Sequence, residues 1–314
     1  MKMKTCILAL AVLAFAASPA FAAKRVSLAT GGTAGTYFPV GGALAGAASK
    51  SGKIRVTAET ANASVANINL LSTQDIELAM VQNDVSYWAF NGEQMFKDRP
   101  VKNLRSVLSI YHEDVHLIVT RASGIKTLED LKGKRVSVGA PGSGTEADVQ
   151  AIFQVVNLTY QDMKIDRLDY TGTANRFKDE QIDAGFFVTG YPSPALMDIA
   201  TSKDVTLVNF EKSFLEELQK KFPYFVPNVI PAGTYNKIDE DITTPAVMAM
   251  IVAHDKVDDE VVYEFLKGIF DNLGEVQNAH AKAKDISLET ALDGLTVPMH
   301  PGAERFYKEK GLLK

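Results

Sequence analysis

Cysteine is all but missing from this 314-residue chain: its single copy, Cys6, stands just before an N-terminal apolar stretch. Disulfides, thiolate nucleophiles and cysteine-held metals are therefore excluded from everything that follows that stretch. A surplus of positive charge is missing too. Lys and Arg number 33 against 38 Asp and Glu, a net charge of −5, and without Lys2 and Lys4 this becomes −5 − 2 = −7. With no basic patch along the chain, nucleic acid is not an expected partner. No apolar run after the N-terminus approaches the ~18 residues of a membrane-spanning helix. Low-complexity segments and short repeats are also absent from the sequence.

At the N-terminus, Lys2 and Lys4 precede the uninterrupted apolar stretch Ile7–Ala17. Ser18-Pro19 breaks it, and Ala20-Phe21-Ala22 places small residues where a signal peptidase reads them. Residues 1–23 read as a cleaved secretory signal, which directs the protein to the periplasm. Cys6 precedes the apolar stretch instead of following it, so no lipoprotein anchor is expected. The remaining length, about 290 residues, exceeds what one hydrophobic core usually serves, and two lobes are expected.

Beyond the signal the rhythm is strand, polar turn, helix. Strands are predicted at 25–30, 54–60, 76–81 and 107–120, then at 135–139, 165–170, 182–189 and 247–253. Helices are predicted at 37–49, 65–71, 83–90, 145–157, 174–179, 193–201 and 211–221, and from Asp258 to the end. Such alternation predicts an α/β fold whose lobes are each a mostly parallel sheet flanked by helices. Lobe I is expected over 24–116 and 246–314, and lobe II over 117–245.

The turns after the strands carry the functional signal. They are Thr30–Thr36, Thr60–Ser64, Gln82–Asp84, Gly139–Thr145, Thr171–Thr173 and Thr189-Gly190. Ligands of open α/β sheets bind beyond the carboxyl ends of the strands. Six turns rich in Gly, Ser, Thr and Asn there form two facing rims of small donors, reinforced by helix starts. Each turn taken alone is also ordinary N-cap chemistry.

Other motifs compete. Gly142-Ser143-Gly144-Thr145-Glu146-Ala147 fits a dinucleotide fingerprint, with Asp162, Asp166 or Asp169 as the later acid, which keeps a bilobal secreted or nucleotide-binding enzyme as the alternative. The glycine spacing of a phosphate-binding loop is present, but Thr145 stands at the lysine position. His112 and His116 have zinc-like spacing, yet lie in a predicted strand without a third ligand. Asp239–Asp241 and Asp258–Glu260 lack the glycine of a calcium loop. No metal, cofactor or catalytic residue is expected.

Gly32–Pro39, Val81–Val85 and Val138–Glu146 resemble the signature segments of the TAXI family, substrate-binding subunits of TRAP transporters. Phe186–Gly190, Ile230–Tyr235 and His300–Glu304 extend the resemblance over nearly the whole chain. Ala63 departs from it, standing where the family usually has glycine. The resemblance implies a type II periplasmic-binding-protein fold that closes on glutamate or a related C5 dicarboxylate and docks, as a monomer, on a membrane permease. The expected ligand-binding residues are Thr33, Gly35, Thr36, Tyr37, Asn62, Ser64, Gln82 and Asp84 on one rim, and Ser143, Gly144, Thr145, Thr189 and Gly190 on the other. Asp84 or Glu146 is expected to accept from an α-ammonium group.

Overall fold

The computed structural model describes residues 23–314. The expected signal segment lies outside the described residues but for Ala23. Strands β1 (Lys24–Ala29), β2 (Ile54–Glu59) and β3 (Leu78–Gln82) alternate with helices α1 (Tyr37–Ser49), α2 (Ser64–Ser72) and α3 (Asn83–Asn91). After the long strand β4 (Leu104–Thr120) the alternation restarts with β5 (Arg135–Ser137), α4 (Gly144–Val155), β6 (Lys164–Asp166), α5 (Tyr170–Lys178) and β7 (Ala184–Thr189). Then come α6 (Pro194–Ser202), β8 (Val205–Leu207), α7 (Lys212–Lys221), β9 (Val226–Ile230) and β10 (Ile242–His254). Helices α8 (Asp259–Asp271), α9 (Leu273–Gln277) and α10 (Pro301–Glu309) complete the chain.

The strands form one mixed sheet in the order β2-β1-β3-β10-β4-β7-β5-β6, with β8 added to β4 and β9 to β10. Pairing is parallel within β2-β1-β3 and within β7-β5-β6, as helical crossovers require. Every residue of β3 and of β7 is buried, so these strands are apolar runs covered on both faces. Antiparallel β4 and β10 join the two sides: β10 pairs β3 near its C-terminal end and β9 near its N-terminal end. The lobe boundaries expected at 116/117 and 245/246 fall within these two strands.

Where β4 and β10 cross, Asp114 stands opposite both Thr189 and Ala246. Its buried carboxylate accepts from Asn228 Nδ2 at 2.6 Å, and burial, opposed by Lys282, pushes it up to about 7. His116 donates from Nδ1 to the Asp114 carbonyl at 2.8 Å and accepts from the Tyr235 hydroxyl at 3.1 Å. Burial pushes His116 down to about 4, so it is a neutral packing residue with both ring nitrogens engaged.

Three expectations need correction. The C-terminal tail is not helical throughout: residues 286–300 form turns and irregular backbone beside β4, with Ser109 N–H donating to Ala291 O at 2.9 Å and Ser106 N–H to Pro298 O at 2.8 Å. Gly294, Pro298 and Pro301 oppose helix there. The predicted strand 165–170 ends at Asp166, because the Asp169 side chain caps a helix that begins at Tyr170, accepting from Gly172 N–H at 2.7 Å. Short strands β8 and β9 were not anticipated.

Candidate functional site

A cavity of about 100 Å³ lies between the two sides at the carboxyl ends of the parallel strands, and each of the six turns contributes to its wall. Helices α1, α2, α4 and α5 all begin at this wall. The N–H groups of a first helical turn have no partner within the helix, and the aligned peptide dipoles add roughly half a positive charge there. No lysine or arginine lines the cavity among the described residues.

Gly35, Thr36, Tyr37, Asn62, Ser64 and Gln82 line it from the β1–β3 side. Ser143, Gly144, Thr145 and Thr189 line it from the other. Three expected residues do not. Thr33 is exposed at the tip of its turn. The Gly190 carbonyl accepts from Thr36 Oγ1 at 3.1 Å outside the cavity. Asp84 is wholly buried behind it. Glu146 is also turned away, ion-paired to Arg167 and accepting from Gly142 N–H at 3.1 Å.

The two sides meet directly around the cavity. The Thr36 and Thr189 hydroxyls hydrogen-bond to each other, and Ala66 N–H donates to Gly142 O at 3.0 Å. Ser64 Oγ accepts from Gln82 N–H at 3.1 Å and donates to Gln82 Oε1 at 3.2 Å, while Gln82 Nε2 donates to Asp148 Oδ2 at 2.8 Å. Ser143 caps α4 by accepting from Glu146 N–H at 3.1 Å, which leaves its O–H free to donate. The loop before it depends on Gly139, whose φ of 92° only glycine adopts easily.

Sequence reasoning missed two lining residues with chemistry of their own. Glu113, 3% exposed, accepts from the Tyr37 hydroxyl at 2.7 Å. Burial holds its carboxyl well above the usual range, reinforced by Asp84 and Asp114 and opposed by the Tyr37 hydrogen bond. Burial thus favours the protonated form of Glu113. Tyr170 bonds Thr145 Oγ1 at 2.8 Å and donates to Val188 O at 2.7 Å, and its ring lies where a Gly35 Cβ would be 3.2 Å from Cε2. Burial pushes its phenol up, so it stays protonated.

Ala63, the departure noted in the sequence, precedes α2 with φ 61° and ψ −150° and lines the cavity. That conformation suits glycine and strains any residue with a Cβ by about 1–3 kcal/mol. Ala63→Gly is expected to raise stability by about 1 kcal/mol, since relief of strain exceeds the ~0.5–1 kcal/mol entropic cost of glycine. Denaturant unfolding checks this, and a loss of stability would show the turn unstrained.

The layers, the crossing strands and the cleft at the strand ends are the two-lobed α/β fold of periplasmic binding proteins. A family model described as NMT1-like matches residues 28–311, and the chain belongs to that family. Among solved structures, a binding protein component of an ABC phosphonate transporter from Pseudomonas aeruginosa is similar at 13% identity, over 87% of this chain and 83% of that one, with a TM-score of 0.53. A Bordetella bronchiseptica protein is similar at 14% identity, over 91% and 98%, with a TM-score of 0.52. A Xanthomonas citri protein solved with bound ATP is similar at 11% identity, over 91% and 95%, with a TM-score of 0.51. At these identities the likeness is one of fold.

Proposed function

We propose that this chain is a periplasmic solute receptor that closes on a small carboxylate, glutamate or a related C5 dicarboxylate, and delivers it to a TRAP-type membrane permease. The observation that carries this is the convergence of four helix N-termini on a cavity with no lining lysine or arginine. A carboxylate there is held by backbone N–H groups and hydroxyls. Arg176, the nearest cation in the sequence to the cleft turns, pairs with Asp166 at 3.7 Å and does not reach the wall. Glu113 takes the place expected for Asp84 or Glu146 as acceptor for an α-ammonium group. No histidine, lysine or cysteine lines the cavity among the described residues, and its two carboxyl side chains are engaged elsewhere, Glu113 by the Tyr37 hydroxyl and Asp169 by the Gly172 N–H. That supports a receptor over an enzyme. The TRAP permease as partner is supported by the resemblance of the cleft turns to TAXI receptors.

Hydrogen bonds to a charged group contribute about 1.5–3 kcal/mol each. Ser143→Ala should weaken carboxylate binding roughly 10- to 150-fold and lower stability by about 1 kcal/mol through the lost cap. Thermal shift across glutamate, glutamine, 2-oxoglutarate, 2-hydroxyglutarate, an alkylphosphonate, sugars and metal ions tests the ligand class. A ligand at ~100 times its dissociation constant adds about 2.7 kcal/mol. A response to a sugar or metal alone would refute the carboxylate reading, and one to the phosphonate alone would favour an oxyanion receptor of the ABC type. Uptake of the responding ligand should fail in a strain lacking this protein or the permease; normal uptake in both would remove the proposed partner.

A further inference from the structure

Two carboxyl groups that touch no ligand stand behind the cavity, and they come from opposite sides of the molecule. Asp84 lies in the first turn of α3, after β3, and Asp148 lies in α4, after β5. Both are 0% exposed. Each carboxyl acts on the other's titration, and Gln82, two residues before Asp84, reaches Asp148 with its side chain. Neither Asp84 oxygen, nor Asp148 Oδ1, receives a full hydrogen bond from a protein N–H or O–H. The Asp84 N–H donates to Asn83 Oδ1 at 2.9 Å. The remaining oxygen, Asp148 Oδ2, accepts from Gln82 Nε2.

Among the described residues no lysine, arginine or histidine acts on this pair. The titratable groups that act on it from neighbouring elements are Glu113 of β4, Tyr170 of α5 and Tyr224, which precedes β9. Two adjacent carboxylates buried without a cation cannot both ionise, and the stable arrangement shares one proton.

We propose that Asp84 and Asp148 share a single proton across the interface between the two sides, and that this pair is a positioning element that fixes the amide of Gln82 in the cavity wall. The shared proton satisfies the facing oxygens and leaves Asp148 Oδ2 as a charged acceptor. An acceptor there admits only the NH2 end of Gln82, so Oε1 turns toward Ser64 and the cavity. The wall at this point therefore offers an acceptor, which selects a ligand carrying a hydroxyl or ammonium donor. The effect on binding rests on the cavity being the ligand site; the shared proton does not.

Burial holds both carboxyls above the usual range; the charge of Asp84 adds to this at Asp148, while the contact with Asp148 opposes it at Asp84. The folded pair thus keeps a proton that the unfolded chain releases near pH 4. Stability is highest below that pH and falls as pH rises toward the folded value, tenfold in the folding equilibrium per pH unit per proton. Asp84→Asn and Asp148→Asn each put an N–H in place of the shared proton and keep one negative charge. Unfolding of the wild type and both variants should be followed from pH 4 to 9. The expected result is that each variant loses one proton's worth of the wild-type slope, matching the wild type at pH 4 and exceeding it at pH 8. Equal slopes would overturn the shared proton. In the same samples the Gln82 side-chain NH2 resonance should move with pH in the wild type and stay fixed in Asp84→Asn. An NH2 signal that ignores pH in the wild type while the slopes differ would overturn the positioning role. L-glutamate affinity should fall above the pH of proton release in the wild type and not in Asp84→Asn. Parallel affinity profiles would overturn the link to binding. Failure of L-glutamate to bind at all would count against the ligand reading and leave the stability comparison intact as the test of the pair.

Discussion

Gly144→Ala is expected to reduce ligand affinity at least 100-fold, against what helix propensity alone predicts. In an exposed helix the change would gain about 1 kcal/mol. Here the added Cβ would fall 1.6 Å from Gln82 Oε1, 2.5 Å from Gln82 Cδ and 2.7 Å from Ser64 Oγ. Gln82 must swing away, which breaks its bonds to Ser64 and Asp148 at the moment the new methyl enters the cavity. Leaving buried polar groups unsatisfied costs about 1–3 kcal/mol each, and overpacking adds a similar amount. Stability should therefore fall by about 2 kcal/mol net, and the wall loses its acceptor. Calorimetric titration with the ligand identified by thermal shift, beside a denaturation curve, measures both. A variant more stable than the wild type with unchanged affinity would mean that α4 and the Gln82 turn are not in contact.

The same contact explains how much of the molecule was legible in its sequence. α1 was read with its observed limits, because a Gly- and Thr-rich turn precedes a run rich in Ala, Leu and Gly, and Lys50-Ser51-Gly52 ends it. The cleft turns were legible as well, since glycine and hydroxyl residues after a strand are a local signal. What stayed hidden depends on the partner across the cleft. Asp84 reads as a rim carboxylate beside Gln82-Asn83, yet α3 turns it inward onto Asp148, 64 residues further along the chain. Glu113 was passed over because it stands inside the run Tyr111–His116, where nothing marks one strand residue as facing a cavity and the next as facing the crossing of β4 and β10. Tyr170 was placed at a strand end, and only the Asp169 cap converts it into the first residue of a helix aimed at the cleft. Ala63 gave the opposite lesson: a departure from the family's glycine, visible in the sequence, marks the one cavity-lining residue among the described residues held at positive φ.

Binding of L-glutamate is expected to release about one proton per ligand, and binding of 2-oxoglutarate about none. Burial without a cation favours the protonated form of Glu113, and Asp84 and Asp114 add to that. Tyr37 alone favours the anion, through the 2.7 Å bond from its hydroxyl. An arriving ammonium group supplies the missing positive charge, so Glu113 ionises and its proton passes to solvent. A keto group brings no charge, and Glu113 keeps its proton. Glutamate affinity should accordingly rise with pH until Glu113 is ionised in the free protein, whereas 2-oxoglutarate affinity should not. Glu113→Gln cannot ionise. Losing one partner of a buried charge pair costs about 2–5 kcal/mol, so glutamate should bind ~30-fold more weakly or worse, with 2-oxoglutarate affected only a few-fold. Calorimetric titrations in buffers of different ionisation enthalpy count the protons directly. Equal proton release for both ligands, or Glu113→Gln with wild-type glutamate affinity, would place the ammonium elsewhere and leave Glu113 as a structural partner of Tyr37.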